Sequence, residues 1–408
     1  MEESESKLAD RLLLVAGVTL FAIGQSLNFI IVFPMSRAAG LDEQQIGLAF
    51  TLASLPLIFM SPFWGRTSDR VGRKPVFIIG LVGTGLGTAL LAFILNLGIT
   101  GVLGAMGLLL AITGARFVYG VTSSAIYPSA AAYMADITTM ENRAKGMALV
   151  GSANSLGSII GPLMASALAF AGVLTPMYVA AALSVAGAAA AIFVLREPAV
   201  HKTRPKGKSD LKWTDARLRP FMIMWGCFFL VFISINLLTA IYIEDKLGIT
   251  DKAAMVRTAS LVLISMAVVI TVVQGVFLQI WRISPKLLLR LCAPAFCIGL
   301  LIMAFATNVL GLMVGFAGFG LAFAFATPGI NGSASLAMAP EDQGAAAGYL
   351  SAANTVGAIA SPLVGTSIYQ IAPNAPFLAG AGLFLVLSFY ALTIKVVRPE
   401  DAAQTSAN

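Results

Sequence analysis

The sequence predicts an all-α membrane protein whose twelve transmembrane helices form two pseudo-symmetric six-helix bundles. Three observations lead there: apolar runs of membrane-spanning length, basic charge gathered on alternate loops, and an internal repeat. Of 408 residues, 58% are hydrophobic and 11% charged, whereas a soluble domain carries roughly 25% charge. The apolar runs are about twenty residues long, enough to cross roughly 30 Å of hydrocarbon at about 1.5 Å rise per residue. Hydrocarbon offers no partner to backbone N–H and C=O groups, so such runs must be helices. The roughly ten-residue alternating segments of a membrane barrel are missing. Spans are expected over residues 12–33, 45–63, 76–96, 102–133, 146–170, 175–195, 220–242, 257–278, 287–307, 309–334, 345–370 and 375–396. The fourth and tenth are long enough to tilt or to extend past the bilayer.

Charge fixes the expected orientation. Even-numbered loops and the two ends hold 21 of the 26 Lys and Arg residues, among them Arg66, Arg70, Arg73, Lys74, Arg143, Lys145 and eight in the central loop. Odd-numbered loops hold only Arg37, Lys246, Lys252 and Arg257. That bias predicts both termini in the cytoplasm. It also accounts for the net charge of +7 without invoking nucleic acid. The first apolar run has full span length and lacks a cleavage pattern, so it reads as a span rather than a leader. Cys227, Cys292 and Cys297 lie in or beside apolar runs and suggest neither a disulfide framework nor a metal site. The single histidine, His201, falls in the central loop, which leaves no intramembrane histidine relay. No cofactor or metal is expected.

The repeat sets the domains. Residues 117–163 laid over 317–363 without a gap give nine identities in forty-seven positions, including Gly120/Gly320, Pro128/Pro328, Asn154/Asn354, Gly157/Gly357 and Pro162/Pro362. Paired Pro, Asn and Gly at fixed register point to a duplicated six-helix unit, with parallel repeats about the membrane normal. The expected division is 1–195, a basic linker over 196–219, and 220–408.

Three sequence features carry function. Between spans 2 and 3 the chain reads Gly65-Arg-Thr-Ser-Asp69-Arg70-Val-Gly72-Arg73-Lys74-Pro75. Physically, Gly65 lets a helix end approach a neighbour, and Asp69 can face a helix N-terminus, where the dipole favours an anion. Gly72 permits a tight turn, and the arginines can bridge to acids elsewhere, such as Asp136 at the end of span 4. Span 4 carries Arg116, the one charge deep inside a span, followed by Tyr119 and Gly120. A buried cation in a membrane usually marks a pathway or a paired site, and the repeat places Phe316 at the matching position. Span 5 carries Gly157 and Gly161, spaced for close helix approach, and Pro162, which removes a backbone donor.

The loop pattern closely resembles the signature of the major facilitator superfamily, Gly-x-x-x-Asp-Arg-x-Gly-Arg-Lys. The Arg116 stretch is similar to that family's second motif, with Tyr119 in place of glutamine. The Gly157–Pro162 stretch is similar to the core of its antiporter motif, with Ala165-Ser166 in place of a glycine pair. The resemblance spans the whole chain and points to the drug:proton antiporter branch. It implies a relay Asp69–Arg73–Asp136 that holds the cytoplasmic gate shut, with plain topology-setting charge as the other reading. It also implies that spans 1, 4, 7 and 10 line a central cavity. Gln25, Asn28, Arg116, Tyr119, Asn236 and Asn331 are the polar candidates there, each of which could instead tie two helices together. Span 1 departs from that branch, with Gly24-Gln25-Ser26-Leu27-Asn28 where a carboxylate is often found. Coupling would then fall to Asp136, or to Glu244 and Asp245 at the outer end of span 7.

The expected function is therefore export of small organic molecules across the inner membrane by alternating access, in exchange for protons, by a monomer. An importer, or a metabolite or carboxylate exporter of the same fold, is the alternative. One cation without an obvious anion favours neutral or anionic compounds over dications. No Gly-x-x-x-x-Gly-Lys-Ser/Thr loop is present to use a nucleotide. Neither an enzyme's nucleophile–base or metal constellation nor a channel's rings of charge can be read.

Overall fold

The computed structural model describes residues 2–138, 143–198, 211–281, 283–339 and 342–394. Half of the expected linker, residues 199–210 with His201, Lys202, Arg204, Lys206 and Lys208, lies outside the described residues, as does Arg282. Among the described residues eleven helices are long and apolar enough to cross a membrane. These are span 1 Ala9–Ala38, span 2 Glu43–Val71, span 3 Arg73–Ile99, span 4 Ala105–Ile137, span 5 Leu149–Ala171 and span 6 Thr175–Val194. Then follow span 7 Arg219–Leu247, span 8 Lys252–Ile280, span 9 Pro285–Phe305, span 10 Val309–Ala337 and span 12 Ala375–Thr393. A twelfth long helix, Gln343–Tyr369, stands where span 11 is expected; it is rich in Ala, Gly, Ser and Thr, and so less apolar than the others. The fold is all-α, with eleven to twelve membrane helices.

Helix starts follow from local chemistry. Asp42 opens span 2 with a capping box: its Oδ1 accepts from Gln45 N at 2.8 Å, and Gln45 Oε1 accepts from Asp42 N at 3.1 Å. Ser284 and Asn308 cap spans 9 and 10, while Pro176, Pro285 and Pro376 occupy first turns, where a missing N–H costs nothing. Among the described residues four spans are interrupted. Span 2 breaks at Leu55 ahead of Pro56, and span 8 opens into a π-helix over Val273–Phe277. Span 1 opens into a π-helix over Asn28–Val32. Span 4 breaks between Ala105–Ser123 and Ile126–Ile137, just before Pro128, which has no N–H to give the preceding turn. Span 10 bears Pro328 at the matching register and stays continuous.

The chain divides into two compact units, one of residues 1–203 with 239–244 and 249–261, the other of 204–238, 245–248 and 262–408. In the first, span 1 packs on spans 5 and 6, and span 3 on spans 4 and 6. Its core gathers Leu14, Val18, Phe77, Leu81, Ile126 and Tyr133. In the second, span 9 packs on spans 10 and 12, around an aromatic centre in which Phe296 lies 4.1 Å from Phe384, 4.2 Å from Phe319 and 4.4 Å from Phe228, ring centre to ring centre.

Repeated glycines make the same contacts in both halves. A Cβ at Gly120 would come 3.0 Å from the Ala53 carbonyl oxygen on span 2, and one at Gly320 would come 2.5 Å from the Met266 carbonyl oxygen on span 8. A Cβ at Gly157 would overlap the Thr19 carbonyl on span 1, and one at Gly357 the Gly226 carbonyl on span 7. Beside them Ser234 Oγ donates to the Ser361 carbonyl at 2.8 Å, and Thr19 Oγ1 to the Ala153 carbonyl at 3.2 Å. In hydrocarbon, where burying apolar side chains between helices yields little, such close approach is what holds helices together.

Gly357→Ala should therefore lower the melting temperature of the detergent-solubilised protein, since overpacking costs roughly 1–3 kcal/mol. Gly348→Ala, whose Cβ meets no atom within 4 Å, should not. A thiol-reactive dye that reports exposure of the buried Cys292 and Cys297 measures both. Equal losses at the two positions would contradict the packing argument.

Candidate functional site

Two polar clusters form within the first unit. The intramembrane one centres on Arg116, about 16 Å along span 4 from its start. Arg116 Nη1 donates to Asn28 Oδ1 at 3.0 Å, and its guanidinium carbon lies 3.6 Å from the centre of the Phe50 ring. Phe50 is itself braced edge-on by Phe33 at 5.7 Å. Asn28 stands where span 1 enters its π-helix; its Nδ2 donates to the Gly24 carbonyl at 3.0 Å, which turns Oδ1 towards the arginine. A cation at a span centre costs about 2.5–3.5 kcal/mol. A charge-assisted hydrogen bond of about 1.5–3 kcal/mol and a cation–π contact of about 0.5–2 kcal/mol are of that order, so Arg116 is held without a counter-charge.

Glycines on span 3 seat the neighbouring tyrosine. A Cβ at Gly87 would come 2.8 Å from the Tyr119 ring, and one at Gly80 would come 2.5 Å from Ile126, so span 4 lies directly on span 3. Tyr119 Oη then points past Gly24, beside Thr84 and Thr88. Tyr119 Oη, Thr84 Oγ1 and Arg116 Nε are all buried without a hydrogen-bond partner.

The other polar candidates go elsewhere. Gln25 is partly buried on span 1 and makes no hydrogen bond to the cluster. In the second unit, Asn236 Nδ2 bonds back to the Phe232 carbonyl at 2.7 Å on its own helix, and Asn331 is exposed. The positions matching Arg116 and Tyr119 are Phe316 and Phe319, both in contact within the aromatic centre, at 5.9 Å from each other.

The second cluster joins the loop after span 2 to the end of span 4. Arg73 Nε donates to Asp136 Oδ2 at 3.0 Å, and its Nη1 to Asp69 and to Ser68 Oγ, the latter at 2.8 Å. Arg73 and Asp136 are buried or nearly so, Asp69 is exposed, and Arg70 is exposed without an ion pair among the described residues. The anion at the start of span 3 is Glu197, not Asp69: its Oε1 accepts from Arg73 N at 2.5 Å and its Oε2 from Lys74 N at 3.1 Å. Gly72, at φ +113°, lets that carboxylate in; a Cβ there would stand 2.7 Å from it. The close approach expected of Gly65 is not made, since a Cβ there meets nothing within 4 Å among the described residues. Gly157 and Gly161 instead supply close contacts, against Ala22 and Ser26 of span 1, and Pro162 lies inside the same helix.

Acids considered for coupling are engaged. Glu244 Oε1 accepts from Lys252 Nζ at 2.6 Å, and Asp245 Oδ2 from Tyr369 Oη at 2.7 Å. Asp10, passed over in the sequence, is buried at the start of span 1, and its Oδ1 accepts from Arg196 N at 3.4 Å. Little in the sequence marks it, since it stands between Lys7 and Arg11 just before the first apolar run.

Because Asp136 and Asp69 share one guanidinium, Asp136→Ala should destabilise the purified protein, by about 3 kcal/mol if the pair behaves as fully buried. Arg73→Ala with Asp136→Ala should cost less than the sum of the single losses, measured as a double-mutant cycle on melting. Strict additivity would rule out the relay as a coupled unit.

Comparison with known proteins follows the same lines. The chain is 26% identical to Multidrug resistance protein 2 of Bacillus subtilis (strain 168) over 412 residues, covering 96% of each. It is 25% identical to the class C tetracycline resistance protein of Escherichia coli, covering 83% of this chain and 85% of the relative. Among solved structures, the nucleoside transporter NupG superposes with a TM-score of 0.67 at 18% identity, covering 95% of this chain and 98% of that one. A bacterial homolog of the human lysosomal transporter Spinster, inward-facing and unoccupied, gives 0.68 at 15% identity, covering 96% and 97%. The Major Facilitator Superfamily model matches residues 13–282 and 257–408, and the chain is a member of that superfamily, a membrane transporter of small molecules and not an enzyme.

Proposed function

We propose that this protein exports small organic molecules across the inner membrane by alternating access, in exchange for protons, working as a monomer with its basic loops and both termini in the cytoplasm. The observation that carries this reading is the Arg116 cluster. It places a cation and an unpartnered hydroxyl inside a span, at positions the scaffold fills with Phe316 and Phe319 in its other half. Residues 1–195 and 220–408 are the bundles that would rock, joined by the linker 196–219. The Asp69–Arg73–Asp136 relay is the latch in this scheme. Arg73 holds two carboxylates, so loss of its pairing with either would loosen it. The tight seat of Gly157 and Gly161 on span 1 would move spans 1 and 5 as one piece.

The direction is supported by the names of the relatives, which include multidrug and tetracycline resistance proteins. An importer or metabolite exporter of the same fold is the second reading, favoured by the nucleoside transporter among the structural neighbours.

Pump-deficient cells expressing the protein should accumulate less of some members of a panel of labelled lipophilic compounds and carboxylates. An uncoupler should restore that accumulation, and Arg116→Ala should abolish the difference. Higher accumulation of a compound would establish import in place of export.

A further inference from the structure

The guanidinium of Arg116 has donors to spare. Stacking on Phe50 covers a face of the planar cation. Asn28 takes Nη1, and Nε is buried without a partner. Among the described residues no carboxylate lies within ion-pair distance of it. Around it, Tyr119 is 3% exposed and Thr84 1%, and the hydroxyl of each is buried without a partner. A buried polar group left unpaired costs about 1–3 kcal/mol, so three together on adjoining helices are not what a purely structural site would keep. All three can donate, and Asn28 Oδ1 is already used by Arg116 Nη1.

We infer that this cluster receives the anionic head of the substrate, a monocarboxylate lying side-on to the Nε and Nη2 edge of Arg116, with Tyr119 Oη and Thr84 Oγ1 as further donors. The inference rests on the reading of Arg116 as a substrate contact and adds the substrate's charge and shape. A planar carboxylate matches the fork of two parallel N–H groups. A dianion would bring a second charge with no cation to meet it, and a cationic head would face Arg116 with like charge in a low-dielectric setting.

The test is counterflow in proteoliposomes preloaded with benzoate, in which labelled benzoate exchanges without a proton gradient and without regard to direction. Benzamide and phenyltrimethylammonium compete as neutral and cationic analogues of similar size. The carboxylate should exchange saturably, and both analogues should compete roughly tenfold or more weakly. Arg116→Gln should erase that discrimination, Arg116→Lys should keep part of it, and Tyr119→Phe should weaken benzoate several-fold. Equal competition by the three analogues, preference for the cation, absence of benzoate exchange, or discrimination that survives in Arg116→Gln overturns the inference. The wild-type competition series decides the matter even where a variant does not fold. Failure of proton coupling or of export in cells leaves it standing, because counterflow needs neither.

Discussion

Helices dissolved in hydrocarbon gain little by burying apolar side chains against one another, so their packing depends on how closely the backbones can come. Glycine decides that here. Gly120 and Gly320 seat spans 4 and 10 on their neighbours, and Gly157 and Gly357 seat spans 5 and 11 on spans 1 and 7. Gly80 and Gly87 draw span 4 onto span 3, which sets Tyr119 beside Gly24, Thr84 and Thr88. The intramembrane cluster is thus a consequence of packing: the polar groups meet because the backbones around them touch.

On that common frame the two halves diverge in chemistry. Where the first carries Arg116 and Tyr119, the second carries Phe316 and Phe319, and Phe319 stacks on Phe232 at 5.3 Å with a 3° tilt. A cation held by one amide and one ring faces a different problem from an aromatic stack: its charge remains to be met. The relay makes a parallel contrast. Arg73 sits among Asp69, Asp136 and Ser68, with its own helix start fixed by Glu197, so its Nε and Nη1 both meet acceptors, whereas Arg116 bonds through Nη1 alone. Commitment suits a latch, and spare donors suit a binding site.

The spans could be read from hydropathy because the solvent dictates them, and their starts follow Asp42, Ser284 and Asn308 closely. Gln343–Tyr369 was read as a span with the rest, although its Ala, Gly, Ser and Thr content dilutes the apolar signal. Long-range partners were legible only where the family resemblance supplied them, as for Arg73 and Asp136. Glu197 lies 124 positions from Arg73, and nothing local marks it as the cap of span 3. Asn28 and Asn236 look alike in sequence, yet one meets Arg116 at a π-helix and the other bonds back to its own turn. Periodicity does not reveal a π-helix. Nor does it reveal that Gly65 meets open space while Gly157 meets a carbonyl.

The central claim is that movement of an organic molecule through this protein is tied to protons, with Arg116 at the contact. The most direct measurement is internal pH in proteoliposomes loaded with a fluorescent pH indicator, followed as each compound of a chemically varied panel is added to wild type and to Arg116→Gln. The account predicts a pH change that saturates with compound concentration in wild type and is lost in the variant. Saturable transport with no accompanying proton movement, or an equal proton response in the variant, would contradict it.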